Sequence, residues 1–378
     1  MKPGPIIGIL TDRIRRKKDL IYKATTREFR SYLEACNEIG ASLYTFDLNY
    51  IDFIDKKVYG YIPSIDSLGK MVWDGQLLPI PDLIVNRAYV SASSNKNEKI
   101  NKLINAFPNI KIINRVTQIS KWEVYQALKN NNDINMYLPK TVLFEGIDSL
   151  SNMLNEFSCV YLKPTDGSLG IGIARITKDK GDEYLAEYRL RKNNYSISGS
   201  LSDILLQLEP LMEKSIYTIQ EGIPLATYRG NIFDLRVCVQ KDGTGKWMIP
   251  VWIIRAANPD NVVTNCAAGG ISLKVEDAIN ALFPDNASEV LDKIKNASIL
   301  ISEAIEKNFP GTGDIGMDVA ITNTGKIYFI EANLRQNKFT SDGSYKGHIE
   351  YLEWKITSRV PIYYLNYLYE LETNSPKS

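Results

Sequence analysis

Residues 316–333, GMDVAITNTGKIYFIEAN, admit few local structures. Two runs rich in β-branched and aromatic residues flank Asn323-Thr324-Gly325, a turn sequence, and the pattern predicts an antiparallel hairpin. With Thr324 and Gly325 as a two-residue loop, Asp318 falls directly opposite Glu331. Glu331 and Asn333, two apart on one strand, share a face, so three oxygen donors converge. Val319, Ile321, Tyr328 and Ile330 are expected on the opposite face, in the core.

Two carboxylates and an amide, with no histidine or cysteine nearby, form a hard-oxygen set suited to magnesium, or manganese, bound together with substrate phosphates. The alternative is a solvent-facing acidic patch, which sets like charges opposite each other with no cation between them. Asp318, Glu331 and Asn333 are therefore the candidate metal ligands.

The rest of the chain restricts the chemistry. His348 is the single histidine, which argues against a Ser-His-Asp hydrolase and against a histidine-ligated transition metal. Cys36, Cys159, Cys238 and Cys266 are widely spaced and form no CxxC pair, the pattern of reduced thiols in a cytosolic protein, so a cytoplasmic location is expected. The 45 Lys and Arg residues nearly balance 44 Asp and Glu, which leaves no field for nucleic acid or an anionic membrane. No apolar run reaches the roughly 18 residues that span a bilayer, and MKPGPIIGILTDR reads as a buried strand rather than a signal peptide. No nucleic acid and no membrane are expected as partners. A chain of 378 residues suits two or three packed lobes.

Residues 5–10 read as a strand and about 25–39 as a helix. Strands at 42–48 and 82–87 and a helix near 98–106 complete a βαβ-type lobe with a parallel sheet. After a strand at 111–114, Ser120 caps a helix carrying Trp122, Val124, Tyr125 and Leu128. The middle section reads as strands at 158–164 and 173–177, a polar stretch with an exposed loop KNNYSISGS, a helix at 201–212 and a strand at 217–223. The third section holds the strand 233–240, a turn at 241–243, the returning strand KWMIPVWIIRAA, a helix at about 286–308 and the hairpin. The expected class is α/β with α+β lobes, divided into an N-terminal domain 1–115, a central lobe 116–230 and a C-terminal lobe 231–378.

DGSLGIG (166–172) has strands on both sides, so it reads as a flap joining antiparallel strands rather than a dinucleotide turn or a P-loop. Gly167, Gly170 and Gly172 let backbone amides approach phosphate oxygens; a plain hairpin turn is the bland account. Lys163 ends an apolar strand, where its charge needs a partner such as phosphate. Lys121 opens the Trp122 helix, as phosphate ligand or as solvated surface lysine. Arg236 and Arg255 project from strands of the third section and can grip a carboxylate or acylphosphate through a bidentate fork, although Arg236 can equally pair with Asp234. Asn265 and Gly269-Gly270 lie in a loop where a second substrate can dock, with Cys266 a bystander. Asn86-Arg87 and the run Arg13, Arg15, Arg16, Lys17, Lys18 follow strands of the first sheet, where open α/β sheets bind ligands, or else are solvated.

In their order along the chain, Lys121, Lys163, the Gly-rich flap, Gln220-Glu221-Gly222-Ile223, Asp234-x-Arg236 and Asp318 followed by Glu331-x-Asn333 resemble the ATP-grasp superfamily over about residues 110–340. PDLIVNR, SKWEVYQAL, YLKPTDGSLGIGI, FDLRV and IEANLRQ look like its endospore coat-associated, YheC/YheD-like group. The resemblance implies an ATP-grasp fold behind an N-terminal parallel-sheet lobe, with ATP and Mg2+ (or Mn2+) as cofactors. Lys121 and Lys163 would then contact the phosphates beneath the flap residues Gly167, Ser168 and Gly170. Gln220, Glu221 and Ile223 would border adenine and sugar, and metal at Asp318, Glu331 and Asn333 would bridge the phosphates.

The implied activity is an ADP-forming carbon-nitrogen ligase that works through an acylphosphate, with a small-molecule or peptide carboxylate and an amine-type acceptor as partners. A homodimer and spore association are further expectations. Gly316 replaces the arginine that D-alanine-type ligases carry two places before the metal aspartate, and Leu334-Arg335-Gln336 replaces their Pro-Gly after E-x-N, which leaves the substrate open. A nucleotide-binding structural protein without turnover and an ATP-grasp kinase are the competing classes.

Overall fold

The run Ile-Ile-Gly-Ile-Leu is apolar on both faces because its strand lies inside a sheet covered on both sides. The computed structural model describes residues 4–11, 23–91, 93–166, 171–190, 193–213, 215–256, 271–336 and 351–374. The run from Arg13 to Lys18, the flap residues Gly167, Ser168 and Gly170, the loop with Asn265, Cys266, Gly269 and Gly270, and His348 lie outside the described residues.

The first lobe consists of β1 (Ile6–Leu10), α1 (Lys23–Glu38), β2 (Ser42–Asp52), β3 (Lys57–Ile65), β4 (Met71–Pro79), β5 (Leu83–Asn86), α2 (Asn95–Ala106) and β6 (Lys111–Ile113). The sheet order is β4-β3-β2-β1-β5-β6. β2, β1, β5 and β6 run parallel, as the βαβ pattern predicts, whereas β3 and β4 extend the sheet as an antiparallel hairpin. The expected parallel βαβ lobe is present, and the β3–β4 hairpin is an addition to its sheet. β4 is an edge strand that leaves alternate residues to solvent, and its mixed composition carries no long apolar run.

The middle lobe contains α3 (Lys121–Leu128), β7 (Thr141–Leu143), α4 (Ile147–Glu156), β8 (Cys159–Pro164), β9 (Ala174–Lys178), β10 (Tyr184–Leu190), β11 (Asn193–Gly199), α5 (Leu201–Met212) and β12 (Tyr217–Glu221). Its strands are antiparallel throughout, in the order β11-β10-β9-β8-β12-β7. The segment expected as an exposed polar loop is the edge strand β11: Ile197 is its buried anchor, and Tyr195 stacks on Tyr188 with 5.3 Å between ring centroids. α4 and α5 bring Leu150, Met153, Leu154, Ile204 and Leu208 to the core of this lobe.

The last lobe is β13 (Thr227–Tyr228), β14 (Asn231–Lys241), β15 (Trp247–Ala256), β16 (Ile271–Leu273), α6 (Val275–Leu282), α7 (Ala287–Asn308), β17 (Asp314–Ile321), β18 (Ile327–Asn333) and α8 (Tyr351–Asn374). Its antiparallel sheet runs β16-β15-β14-β17-β18, with β13 paired to β14. α6 and α7 bury one face; α8 crosses back to the first lobe and places Ile362 and Leu365 in its core beside Ile7, Phe29 and Tyr32.

The hairpin β17–β18 differs from its expected form in an instructive way. Ile321 pairs with Ile327, Gly325 takes a φ of 77°, and its N–H donates to Thr322 O at 2.9 Å, so Asn323-Thr324-Gly325 is a three-residue loop. That loop alone would slip the register, but a bulge between Asp318 and Val319 inserts Ile330 and restores Asp318 opposite Glu331. Ile327 and Phe329 therefore share the core cluster of Val319 and Ile321, whereas Tyr328, opposite Ala320, is buried outside that cluster and Ile330 is half-buried.

Candidate active site

Strand order creates the site. β14 lies between β15 and β17, so its alternate residues Asp234 and Arg236 meet charged partners on both sides: Asp234 pairs with Arg255, and Arg236 with Asp318. Arg255 grips Asp234 bidentately, Nε to Oδ1 at 2.8 Å and Nη2 to Oδ2 at 2.6 Å, and its Nη2 also lies 2.9 Å from Asp318 Oδ2. Arg236 Nε approaches Asp318 Oδ1 to 2.7 Å. The choice left open for Arg236 falls to Asp318, because a cross-strand neighbour on the same face is closer than the residue two along its own strand. One strand further, Glu331 lies 3.4 Å from Lys121 Nζ and accepts from Asn333 Nδ2 at 3.1 Å.

Lys121 is delivered by the start of α3. Ser120 and Glu123 form a capping box, Glu123 N to Ser120 Oγ at 3.1 Å and Ser120 N to Glu123 Oε2 at 2.9 Å. Lys121 N donates to Thr165 O at 3.0 Å, which fastens the helix to the end of β8. Lys163 on β8 donates to Gln220 Oε1 at 2.5 Å, and Gln220 Nε2 donates to Thr141 Oγ1 at 3.0 Å. Beyond Glu221 the chain turns at Gly222, whose N–H donates to Cys159 O at 2.8 Å; a Cβ there would lie 2.6 Å from Cys159 Sγ, so only glycine fits. Glu221 and Ile223 are half-buried along this edge.

The electrostatics follow from burial and charge. Burial opposes ionisation of Glu331, but Lys121, the Asn333 amide, Arg236 and Arg255 outweigh it and hold the carboxyl down at about 2. Burial dominates at Asp318: despite Arg236 and Arg255, and with Glu331 and Asp234 adding repulsion, its carboxyl is pushed up to about 6. Burial, then the charge of Lys121, pushes Lys163 down to about 8, with Glu331 pulling the other way. Burial likewise raises Glu221. Asp234, Asp318 and Glu331 thus face Arg236, Arg255 and Lys121, three charges of each sign in contact.

This donor set fits magnesium. Asp318 Oδ1, close to Arg236 Nε, is buried without an aligned hydrogen bond, and Glu331 has a hard oxygen beside the Asn333 amide. Among the described residues no three Asp, Glu, His or Cys side chains are grouped so as to hold a metal ion by themselves, so the remaining coordination would fall to water or phosphate oxygens, as is usual for magnesium. Asp318, Glu331, Asn333, Lys121, Arg236 and Arg255 are brought into one group, with Lys163 and Gln220 close enough for Lys163 to sense the charges of Lys121 and Glu331.

The sequence model of the "YheC/D like ATP-grasp" family matches residues 109–368. The chain belongs to that family. Over 99% of its length it is 23% identical to the endospore coat-associated protein YheD of Bacillus subtilis (strain 168), of which it covers 81%. Its fold is similar to the VanG D-Ala:D-Ser ligase from Enterococcus faecalis, with a TM-score of 0.51 at 12% identity, covering 96% of this chain and 99% of that one. The D-alanine-D-alanine ligase from Coxiella burnetii also has a TM-score of 0.51, at 8% identity, covering 98% and 97%. The mixed α/β architecture is thus the ATP-grasp one.

Within this ATP-grasp frame the departures from D-alanine-type ligases are coupled. A Cβ on Gly316 would lie 2.6 Å from Gln336 Cβ and 2.9 Å from Arg236 Nη1, so Arg236 and Gln336 occupy the room of any side chain at 316. Gln336, the last residue of the Leu334-Arg335-Gln336 replacement, is buried; it donates to Asp314 Oδ1 at 2.7 Å and accepts from Cys238 Sγ at 3.0 Å. Asn86, Arg87 and Asn114 also turn inward rather than to a rim: Arg87 pairs with Glu28 at 3.1 Å and donates to Gln336 O at 2.9 Å. Their signal was polarity directly after a wholly apolar strand.

Proposed function

We propose that this chain is an ATP- and magnesium-dependent ligase that activates a carboxylate. The observation that carries the reading is the charge row Arg255–Asp234, Arg236–Asp318 and Glu331–Lys121 beside the Lys163–Gln220 pair. Because that row is balanced in charge, it does not repel a triphosphate, and Lys163 adds a further positive charge beside it. Lys121 and Lys163 hold phosphate oxygens, Gln220, Glu221 and Ile223 border the base and sugar, and Gly167, Ser168 and Gly170, read from the sequence alone, offer backbone amides to the phosphates. Asp318, Glu331 and Asn333 hold the magnesium ion, which supplies charge neutralisation at the transferred phosphoryl group.

A carboxylate oxygen of the substrate forms a bond to the γ-phosphorus while the bond to the β–γ bridging oxygen breaks, giving an acylphosphate and ADP. An amine then attacks the acyl carbon, phosphate departs with the C–O electron pair, and the nitrogen loses a proton. Alignment and electrostatics suffice for the first step, and no protein nucleophile is required. Arg236 and Arg255, already committed to Asp318 and Asp234, act by holding the carboxylates in place, and Arg255 adds positive charge beside the transferred group. Asn265 contributes on the acceptor side. The substrates are a small-molecule or peptide carboxylate and an amine-type acceptor, met in the cytoplasm, where ATP and magnesium are abundant. No helix among the described residues is long and apolar enough to cross a membrane.

A screen of carboxylates and amines, scored by ADP and phosphate release with magnesium, is expected to give turnover that falls to background in Asp318→Asn while cooperative thermal unfolding persists. Full activity in the Asp318→Asn/Glu331→Gln double variant overturns the metal assignment. The second reading, a nucleotide-binding coat protein without turnover, is favoured by the name of the Bacillus subtilis relative. It gains if magnesium-ATP binds and no pair in the screen releases phosphate.

A further inference from the structure

Asn114 follows the last strand of the first lobe, is buried, and holds a left-handed φ of 57°. Asparagine tolerates that conformation better than most residues. Its side chain spends every hydrogen-bonding group on the metal hairpin. Nδ2 donates to Asp314 O at 2.6 Å and to Leu334 O at 2.5 Å, and Oδ1 accepts from Gly313 N at 2.9 Å and Asp314 N at 3.3 Å. The ladder between β17 and β18 ends at Gly316 opposite Asn333. Just past that pair, where the two strands separate, the Asn114 amide splices them as a substitute rung.

Glu331 and Asn333 are thereby confined between two fixed points, the Ile330 bulge on one side and the Asn114 splice on the other. Asn114 is in turn held by the first lobe: Asn86 Nδ2 donates to Asn114 O at 2.8 Å and to Arg115 O at 3.1 Å. A second tie runs parallel to it, since Arg87 donates to Gln336 O at 2.9 Å and Arg335 Nε donates to Arg87 O at 2.6 Å. The end of the metal-bearing strand is therefore positioned by residues of the first lobe.

We infer that Asn114 is a positioning residue for the cation site, setting Asn333 and Glu331 from the first lobe so that this lobe strengthens the binding of a divalent cation with nucleotide. The inference rests on the ligase reading only for the identity of the cation site. It names a residue that touches neither nucleotide nor metal.

The test compares binding of the non-hydrolysable ATP analogue AMP-PNP with and without magnesium, by calorimetry, in the wild type, Asn114→Asp and Asn114→Gly. Asn114→Asp keeps the acceptor and the shape but loses both donations; Asn114→Gly accepts the backbone conformation and removes the splice. Magnesium-free affinity, which depends on Lys163 and the base-binding edge, is expected to stay at the wild-type level. The gain that magnesium adds is expected to fall by about 10- to 100-fold, the usual effect of losing a group that orients a metal ligand. An equal loss with and without magnesium marks Asn114 as merely structural and overturns the inference, as does an undiminished magnesium gain.

Amide hydrogen exchange on the wild type keeps the claim testable should the variants not fold. Magnesium with AMP-PNP is expected to slow exchange at residues 111–115 as well as 331–336, and an unchanged rate at 111–115 overturns it. If the wild type binds AMP-PNP with no gain from magnesium, the ligase reading falls too, whereas a gain shared equally by all three proteins removes the Asn114 role alone.

Discussion

At the scale of single residues, Lys163 is a cation whose charge is readily removed. Burial first and Lys121 second push it down to about 8, so it is cationic at neutral pH and loses its proton under mildly alkaline conditions. In the proposed phosphate-binding role, its attraction for phosphate is present below that value and lost above it. Magnesium-free AMP-PNP affinity, measured by calorimetry at pH 7 and pH 9.5, is expected to drop roughly ten- to a hundredfold, the size of one charge-assisted hydrogen bond. Lys163→Arg, which stays charged throughout, is expected to abolish that pH dependence, and a flat wild-type profile removes Lys163 from the phosphate site. On folding the sign is opposite: between about 8 and the ordinary lysine value of 10.5, the unfolded chain keeps a proton that the folded chain does not, so stability rises with pH in that window. Lys163, Asp318 and Glu331 stand out in the sequence because each puts a charge into an apolar strand pattern. The pairing of Arg236 with Asp318 and of Arg255 with Asp234 was not legible, since it depends on β14 lying between β15 and β17, which no local periodicity encodes.

At the scale of elements, the hairpin places Asp318 opposite Glu331 through two compensating irregularities. The three-residue loop needs a left-handed residue, and Gly325 supplies it at a place where a Cβ would make only ordinary contacts, the nearest being Phe283 Cε1 at 3.6 Å. Gly325→Ala therefore meets backbone strain and no clash. It is expected to lower stability by about 1–2 kcal/mol, read as a lower urea midpoint with an unchanged slope. A loss well beyond that would mean that the loop and the Ile330 bulge shift together and that the register itself is at stake. The alternating pattern betrayed both strands but not the bulge, because an inserted residue leaves no mark in composition. β11 escaped notice because only Ile197 anchors it, and α8 because Pro361 inside an aromatic-rich stretch reads as a break.

At the scale of the whole molecule, the cores divide the chain differently from its sheets. The middle lobe keeps its own cluster, from Leu150 to Ile219, while the first lobe's cluster takes Ile362, Tyr364 and Leu365 from α8 at the far end of the chain. α8 packs against α1 and also meets β5, β6, β14 and β15, and Arg359 and Tyr363 bond Glu38 at its flank. The terminal lobes therefore share one helix, and the substitute rung at Asn114 joins the same two lobes at the end of β18. Physical coupling between lobes of this kind leads to shared opening, whereas a lobe with a separate core opens alone. Leu365→Ala, at a fully buried position, is expected to cost about 2–5 kcal/mol and to speed amide exchange in β1, β5, β14 and β17 together. Exchange in β8, β9 and β12 is expected to stay at the wild-type rate, because their core contains nothing from α8. Faster exchange confined to the first lobe would mean that α8 does not tie the two lobes into one unit, and the cation site proposed at Asp318, Glu331 and Asn333 would then be free of the first lobe's stability.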